Sequence, residues 1–226
     1  MKEAITALRA AIEHTILKPD TSASDIERIC AEAIKQEFKA VCVPPYYIDD
    51  AVALLADTGI EIATVVGFPM GYQSTMSKFE EAEDALAHGV DHLDVVVNIA
   101  AVKCGDWDTI SNEMELLTKL AHREGKVIKW ILETGLLSEI EIDLLCKLAN
   151  DNKVDYVKTS TGMNGPGATP EVVAQLRKWL SPKIKIKASG GIRTLEEAAA
   201  VMAAGANKIG TSSGVAIMEE TLKLKA

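Results

Sequence analysis

Ile184–Lys185–Ile186–Lys187–Ala188–Ser189–Gly190–Gly191–Ile192–Arg193 leads through a helical-period segment, Leu195–Ala204, to Lys208–Ile209–Gly210–Thr211–Ser212–Ser213–Gly214. A short β-branched run, Ile184–Lys187, ends in a glycine turn. A segment with apolar residues at helical spacing follows, Gly205 closes it, and a second short run, Lys208–Gly210, begins. Strand, helix and strand in this order are the unit of a parallel sheet, because parallel neighbours need a crossover helix.

The same alternation extends towards the N-terminus. Further strand-like runs are His14–Leu17, Ala40–Val43, Ile62–Val66, Leu93–Val97, Val127–Leu132 and Tyr156–Lys158. Between them, Ser24–Gln36, Ser77–Ala87, Glu113–Arg123, Glu139–Leu148 and Glu171–Trp179 carry apolar residues at helical spacing with charges opposite. Gly59, Gly89, Gly125 and Gly205 are placed to close helices, and Thr169–Pro170 reads as an N-cap and first-turn pair. About eight strands is the number that closes a (β/α)₈ TIM barrel, an α/β fold. An open doubly wound sheet would need a GxGxxG loop after its first strand, and Leu17–Ser24 contains none. No linker rich in Pro, Gly or Ser divides the chain, so residues 1–226 are read as one domain.

The 226 residues are 48% hydrophobic and 25% charged, enough to bury one large core. A net charge of −9 argues against a nucleic-acid or anionic-membrane binder, which needs a broad basic surface. No apolar run approaches the ~18 residues of a membrane span, and the first thirteen residues carry too many charges for a signal peptide. Cys30, Cys42, Cys104 and Cys146 form no CxxC pair, which argues against a zinc ribbon or a disulfide framework and suits a reducing cytoplasm. His14, His88, His92 and His122 show no metal-ligand spacing, so no metal site is expected. His14 and His92 are candidates to approach the barrel mouth, while His88 and His122 read as helix-surface residues. Trp107, Trp130 and Trp179 read as packing residues.

Barrel active sites collect at the C-terminal ends of strands, so polar residues there count most. Asp94, Glu133, Lys158 and Lys187 stand out. Lys158 follows an apolar strand and either snorkels outward or points into the barrel. With Lys187 at the end of the next strand, two ammonium groups would face one pocket. Repulsion and desolvation would then hold one neutral, the form that attacks a carbonyl to make a Schiff base. Lys183 and Lys185, on the same face as Lys187, are read as outward or at the barrel bottom. Asp94, set between apolar residues, needs a cationic partner across the barrel or serves only as a cap or salt bridge. Glu133 is read as holding loops together at the mouth. Ser189–Gly190–Gly191–Ile192–Arg193 and Gly210–Thr211–Ser212–Ser213–Gly214 follow the last two strands, where barrels bind phosphate through backbone N–H groups and a helix N-terminus. The glycines permit close backbone approach, the serines donate, and Arg193 adds charge.

Glu13–His14–Thr15–Ile16–Leu17–Lys18–Pro19, Ala40–Val41–Cys42–Val43, Thr64–Val65–Val66–Gly67–Phe68–Pro69, Leu93–Asp94–Val95–Val96–Val97–Asn98, Val157–Lys158–Thr159–Ser160–Thr161–Gly162, Lys187–Ala188–Ser189–Gly190–Gly191–Ile192–Arg193 and Gly210–Thr211–Ser212–Ser213–Gly214, taken in order, resemble the deoxyribose-phosphate aldolases. The resemblance implies reversible cleavage of 2-deoxy-D-ribose 5-phosphate to D-glyceraldehyde 3-phosphate and acetaldehyde. It implies no metal or organic cofactor, a small phosphosugar as the partner, and a homo-oligomer, dimer or tetramer. By position it makes Lys158 the Schiff-base lysine, Lys187 the second lysine and Asp94 the proton-relay aspartate. Gly162, Gly190, Gly191, Arg193, Gly210, Ser212 and Ser213 match phosphate-binding segments, and Thr15, Leu17 and Cys42 line the substrate side. The alternatives are an aldolase for another phosphorylated sugar and a non-catalytic phosphosugar-binding barrel. The chain departs from the family pattern at Glu13, usually aspartate; Pro44, commonly asparagine; His92, usually glutamate; and Lys208, usually arginine. Pro166 interrupts a Gly-Gly loop, and Leu222–Ala226 lacks a tyrosine found in some members.

Overall fold

A computed structural model describes residues 2–223. Eight parallel strands run in chain order around a closed barrel: β1 (Ile12–Thr15), β2 (Ala40–Cys42), β3 (Glu61–Val66), β4 (His92–Val96), β5 (Val127–Ile131), β6 (Tyr156–Lys158), β7 (Lys185–Ser189) and β8 (Lys208–Thr211). β8 pairs with β1, with Glu13 opposite Gly210, and so removes both sheet edges. The described helices are α1 (Lys2–Ala11), α2 (Ala23–Gln36), α3 (Ile48–Leu55), α4 (Thr75–Ala87), α5 (Ile99–Cys104), α6 (Trp107–Arg123), α7 (Glu139–Asp151), α8 (Pro170–Trp179), α9 (Leu195–Ala203) and α10 (Gly214–Lys223). The (β/α)₈ barrel expected from the alternation is the fold observed.

Local chemistry starts the helices. Ser22 with Asp25, Ser138 with Glu141 and Thr194 with Glu197 each form a capping box, satisfying N–H groups the helix itself leaves unpaired. Thr169 caps α8 with Pro170 in its first turn, as the sequence indicates. Gly59, Gly89, Gly125 and Gly205 all lie at positive φ, where glycine costs least. Helices α1, α3 and α5 lie outside the helical segments read from the sequence, although α1 and α3 are amphipathic.

The strand boundaries depart from expectation at charged and polar residues. β1 begins at Ile12 rather than His14, β4 at His92 rather than Leu93, and β7 runs from Lys185 to Ser189 rather than from Ile184 to Lys187. Pattern reading stops strands at charged and polar residues, but in this barrel such residues point inward and pair with one another. Asp94 and Lys187 consequently sit in mid-strand, not at the strand ends expected for them.

The apolar core fills the layer between strands and helices, where Trp130, Ile128, Val157, Ile186 and Ile209 are fully buried. Trp107 and Trp179 pack against it. The barrel interior holds a small apolar cluster, Cys42, Ala63 and Val65, backed by Leu17 and Phe68. Ala40, Val96, Ile131 and Tyr156 share the inward face, and among them stands a group of buried ionic side chains. A separate buried pair locks the outer layer: Lys78 Nζ on α4 lies 2.7 Å from Glu113 Oε1 on α6 and donates to Val96 O at 2.8 Å. Neither side chain is exposed. Lys78→Ala strands the Glu113 charge and is expected to cost about 3–5 kcal/mol in urea denaturation. The double change Lys78→Met/Glu113→Leu should recover most of that loss; a single variant as stable as wild type would show that the pair does not hold α4 to α6.

Candidate active site

Four neighbouring strands each carry one buried ionic residue into the barrel, and β1 closes the ring with a fifth. Register does the placing: Asp94 lies opposite Lys129, Ile131 opposite Lys158, and Lys158 opposite Lys187. Lys158 Nζ donates to Asp94 Oδ2 at 2.8 Å, Lys187 Nζ to the same oxygen at 2.7 Å, and Lys129 Nζ to Oδ1 at 2.8 Å. Lys187 also donates to Glu13 Oε1, and Lys129 Nζ is 3.4 Å from Glu13 Oε2. Glu13, Asp94, Lys129 and Lys187 are fully buried and Lys158 is 2% exposed.

Three ammonium groups face two carboxylates, leaving an excess positive charge where desolvation is severe. Burial, with the charge of Lys208 adding to it, pushes Lys187 well below the ordinary lysine range. Burial alone would raise the Asp94 pKa, but the charges of Lys129 and Lys158 outweigh it and hold the carboxyl at about 2. Asp94 is thus a fixed anion, and the cluster favours giving up a lysine proton.

Lys129 is the residue the sequence reading missed. Its signal was a lone charge inside Val127–Leu132, the same signal that marked Asp94, but its neighbour Trp130 drew the segment towards packing. Glu13, by resemblance a lengthened form of a carboxylate that helps arrange the site, is one of the two anions of the cluster.

Above the cluster opens a cavity of about 690 Å³. Its wall includes Thr15, Leu17, Lys158, Gly162, Gly190, Gly191, Arg193, Gly210 and Ser212. Lys158 therefore points into the barrel and not outward. Lys187 lies below the cavity wall, and Cys42 sits in the interior apolar cluster. Ser213 is half-buried, its N–H donating to Thr211 Oγ1 at 2.9 Å, one residue before α10. Gly190 (φ +86°) crosses Gly162 and Gly167 so closely that a Cβ on Gly190 would stand 2.9 Å from Gly167 Cα. Gly210 makes room for Lys187, since a Cβ there would lie 2.8 Å from Lys187 Cε. Glu133 accepts from Thr161 N–H at 3.2 Å and from the Thr161 hydroxyl, tying the loop after β6 to the end of β5.

His14 borders the cavity and lies 2.6 Å from Glu32 Oε2 through Nε2. His92, expected near the mouth, instead lies at the opposite end, because it is the first residue of β4 and faces Glu61 at 3.3 Å. Lys183 and Lys185 are also at the barrel bottom. His88 and His122 are helix-surface residues, paired with Asp49 and Asp155. Of the tail Leu222–Ala226, residues 224–226 lie outside the described residues. Glu13, Cys42 and Asp94 bring potential metal-ligand atoms within 4.8 Å of one another. Both carboxylates are already engaged by lysines, and burial pushes the Cys42 thiol up to about 12, so this donor set fits ion pairing better than a cation.

The fold and this lysine-rich interior place the chain among barrel enzymes. Residues 8–220 match the DeoC/LacD family aldolase model, and the chain belongs to that family of lyases. It is 47% identical over 210 residues to a deoxyribose-phosphate aldolase of Thermococcus gammatolerans, covering 92% of this chain and 93% of that one. It is 44% identical over 208 residues to another of Brevibacillus brevis, with 92% and 93% covered. A tetrameric deoxyribose phosphate aldolase from Aeropyrum pernix superposes with a TM-score of 0.90 at 32% identity, over 96% of this chain and 92% of that one.

Asp94→Asn removes one of two anions facing three lysines and should destabilise the fold by about 3–5 kcal/mol near neutral pH. A carboxyl shifted from 3.8 down to about 2 contributes stability that is present above 3.8 and lost as pH falls through about 2. The difference between wild type and variant in urea denaturation should therefore shrink as pH falls below about 4. A difference unchanged down to about pH 2 would detach it from the Asp94 charge.

Proposed function

We propose that this aldolase reversibly cleaves 2-deoxy-D-ribose 5-phosphate to D-glyceraldehyde 3-phosphate and acetaldehyde through a Schiff base on Lys158. One observation carries the choice of lysine. Of the three lysines in the Asp94 cluster, Lys158 alone reaches the wall of the cavity that also holds Gly190, Gly191, Arg193 and Ser212. The relatives' names support the substrate, and the basic, glycine-lined corner supports its phosphate end.

In this reading Lys158 and Lys187 share Asp94 Oδ2, so a proton deficit favoured by burial at Lys187 can move to Lys158 through a transfer of a few ångströms. Neutral Lys158 Nζ adds to the C1 aldehyde carbon of the open-chain sugar, and loss of water with uptake of one proton, relayed from the Asp94 cluster, gives a protonated imine. The C3 hydroxyl then gives up its proton as the C2–C3 bond breaks. Its oxygen becomes the aldehyde of glyceraldehyde 3-phosphate, and the bonding electrons pass through C2 and C1 to the imine nitrogen, leaving an enamine. Protonation at C2 and addition of water release acetaldehyde and restore the amine. Asp94 holds the lysines and relays protons through water. Residues 162, 190, 191, 193, 210, 212 and 213 form the phosphate end, with Thr15, Leu17 and Cys42 on the sugar side.

Assembly as a homo-oligomer belongs to the same proposal, the Aeropyrum pernix relative being described as tetrameric. So does a cytoplasmic location, for which the free thiols of Cys30, Cys42, Cys104 and Cys146 speak. No described helix is long and apolar enough to cross a membrane.

Borohydride reduction with acetaldehyde should leave a two-carbon adduct on Lys158 by peptide mass spectrometry, and Lys158→Leu should abolish trapping. An adduct on Lys187 in the wild type would reverse the assignment, and no adduct would favour a binding protein. In Lys187→Leu trapping should persist weakly, with its pH profile moved to higher pH, because the neighbouring charge that disfavours protonation of Lys158 is gone. Arg193→Ala should raise KM for the phosphorylated sugar by about tenfold or more while changing use of free deoxyribose little, since the lost contact is charge-assisted. Equal losses for both sugars would remove phosphate from that corner.

A further inference from the structure

The barrel has a second cavity, of about 700 Å³, at its other end, where the strands begin. Its lining includes Glu61, His92, Tyr156, Lys183, Lys185 and Lys208. The volume is in the range of small-molecule sites, and neither the proposed aldol chemistry nor the closure of the barrel uses this opening.

Charge is its distinguishing property. Lys153, Lys183, Lys185 and Lys208 bring four ammonium groups to the lining, against the carboxylates of Glu61 and Asp155, in a chain of net charge −9. Each carboxylate is engaged through one of its oxygens. Glu61 lies 3.3 Å from His92 Nε2 and 3.4 Å from Lys208 Nζ, while Asp155 accepts from Ile128 N–H and lies 3.0 Å from His122 Nε2. Lys153, Lys183 and Lys185, by contrast, make no ion pair among the described residues. The other amide groups of the lining are spent internally: Asn150 donates to Trp179 O at 3.0 Å and accepts from Ser181 N–H at 2.7 Å.

Two of the ammonium groups are held in place. Lys185 Nζ is 5.4 Å and Lys208 Nζ 5.9 Å from the centroid of the Tyr156 ring, so cation–π attraction draws both towards one point of the wall. Lys208 is only 12% exposed, and burial, together with the charge of Lys129 behind it, lowers it to about 8. Lys153, Lys183 and Lys185 are exposed at the rim of this concave opening, whose shape focuses the field of the four charges. The lining carries four ammonium groups to two carboxylates, three of them without an ion pair among the described residues, so the matching ligand is an acceptor with more than one negative charge.

We propose that this opening is a binding site for a small multivalent oxyanion, a phosphate compound or a polycarboxylate, separate from the cavity that holds Lys158. Lys183 is its adjustable contact, Lys153 adds charge at the rim, and Lys185 and Lys208, both over the Tyr156 ring, are its placed ones. The site stands whether or not the protein cleaves deoxyribose phosphate.

Isothermal titration with inorganic pyrophosphate, and separately with citrate, tests it on the full chain. In wild type, pyrophosphate should bind with a component that survives Arg193→Ala and weakens by about tenfold or more in Lys183→Ser/Lys185→Ser, two charge-assisted contacts being lost. The double variant should keep wild-type melting behaviour and wild-type aldol activity, since neither lysine belongs to the Asp94 cluster. Citrate competing with pyrophosphate would assign the site to phosphates and polycarboxylates alike, and pyrophosphate alone to phosphate compounds. Isotherms that are the same in wild type and in the double variant, or a loss produced by Arg193→Ala alone, would overturn the proposal.

Discussion

The carboxylate of Asp94, accepting from Lys129, Lys158 and Lys187 at 2.7–2.8 Å, is the interaction on which the barrel interior depends. A charge buried in mid-strand is tolerated only with partners, and three strands supply them. In return the anion fixes the position of each ammonium group. Glu13 closes the arrangement from β1, so strands that are distant in sequence are held by charge inside the barrel as well as by backbone hydrogen bonds.

This arrangement explains why the interior is not filled in the usual way. Barrel interiors of this class are commonly packed with branched apolar side chains in layers. Here most branched residues face the helices, and inside the ring the ionic side chains take the middle, between the apolar cluster of Cys42, Ala63 and Val65 and a few further side chains such as Val96 and Ile131. Small residues keep the ionic side chains extended: Gly210 leaves space for the Lys187 stem, and the Gly162–Gly167–Gly190 crossing brings two loops to backbone contact beside the mouth. The unbalanced positive charge gives the site its chemistry, since a lysine that sheds its proton there relieves both repulsion and desolvation.

Both ends of the barrel are open and polar, yet they differ in kind. The mouth is built from loops and helix starts, with Lys158 at its floor and glycines along its side. The opposite end is built from the first residues of strands, with lysines gathered around Tyr156. Lys208 lies 3.7 Å from Glu13 Oε2, and Glu13 in turn contacts Lys187, so the two ends are joined by a chain of charges through the barrel axis.

The alternation of β-branched runs with amphipathic segments determined the eight-fold barrel by itself, because each run is short and each crossover long enough for a helix. Order along the chain also put Lys158, Lys187 and Asp94 on strands, and the glycine and serine segments after β7 and β8 into one corner. Sequence alone did not decide depth or direction. Lys129 resembled any charge in a strand until register set it 2.8 Å from Asp94, and His92 looked like a mouth residue until the start of β4 placed it at the bottom. Which lysine lines the cavity and which lies beneath it was likewise decided in three dimensions. The physical reason is that alternation along a strand says which face a residue takes, whereas its height in the barrel depends on the stagger between strands, and that stagger is fixed only when all eight close.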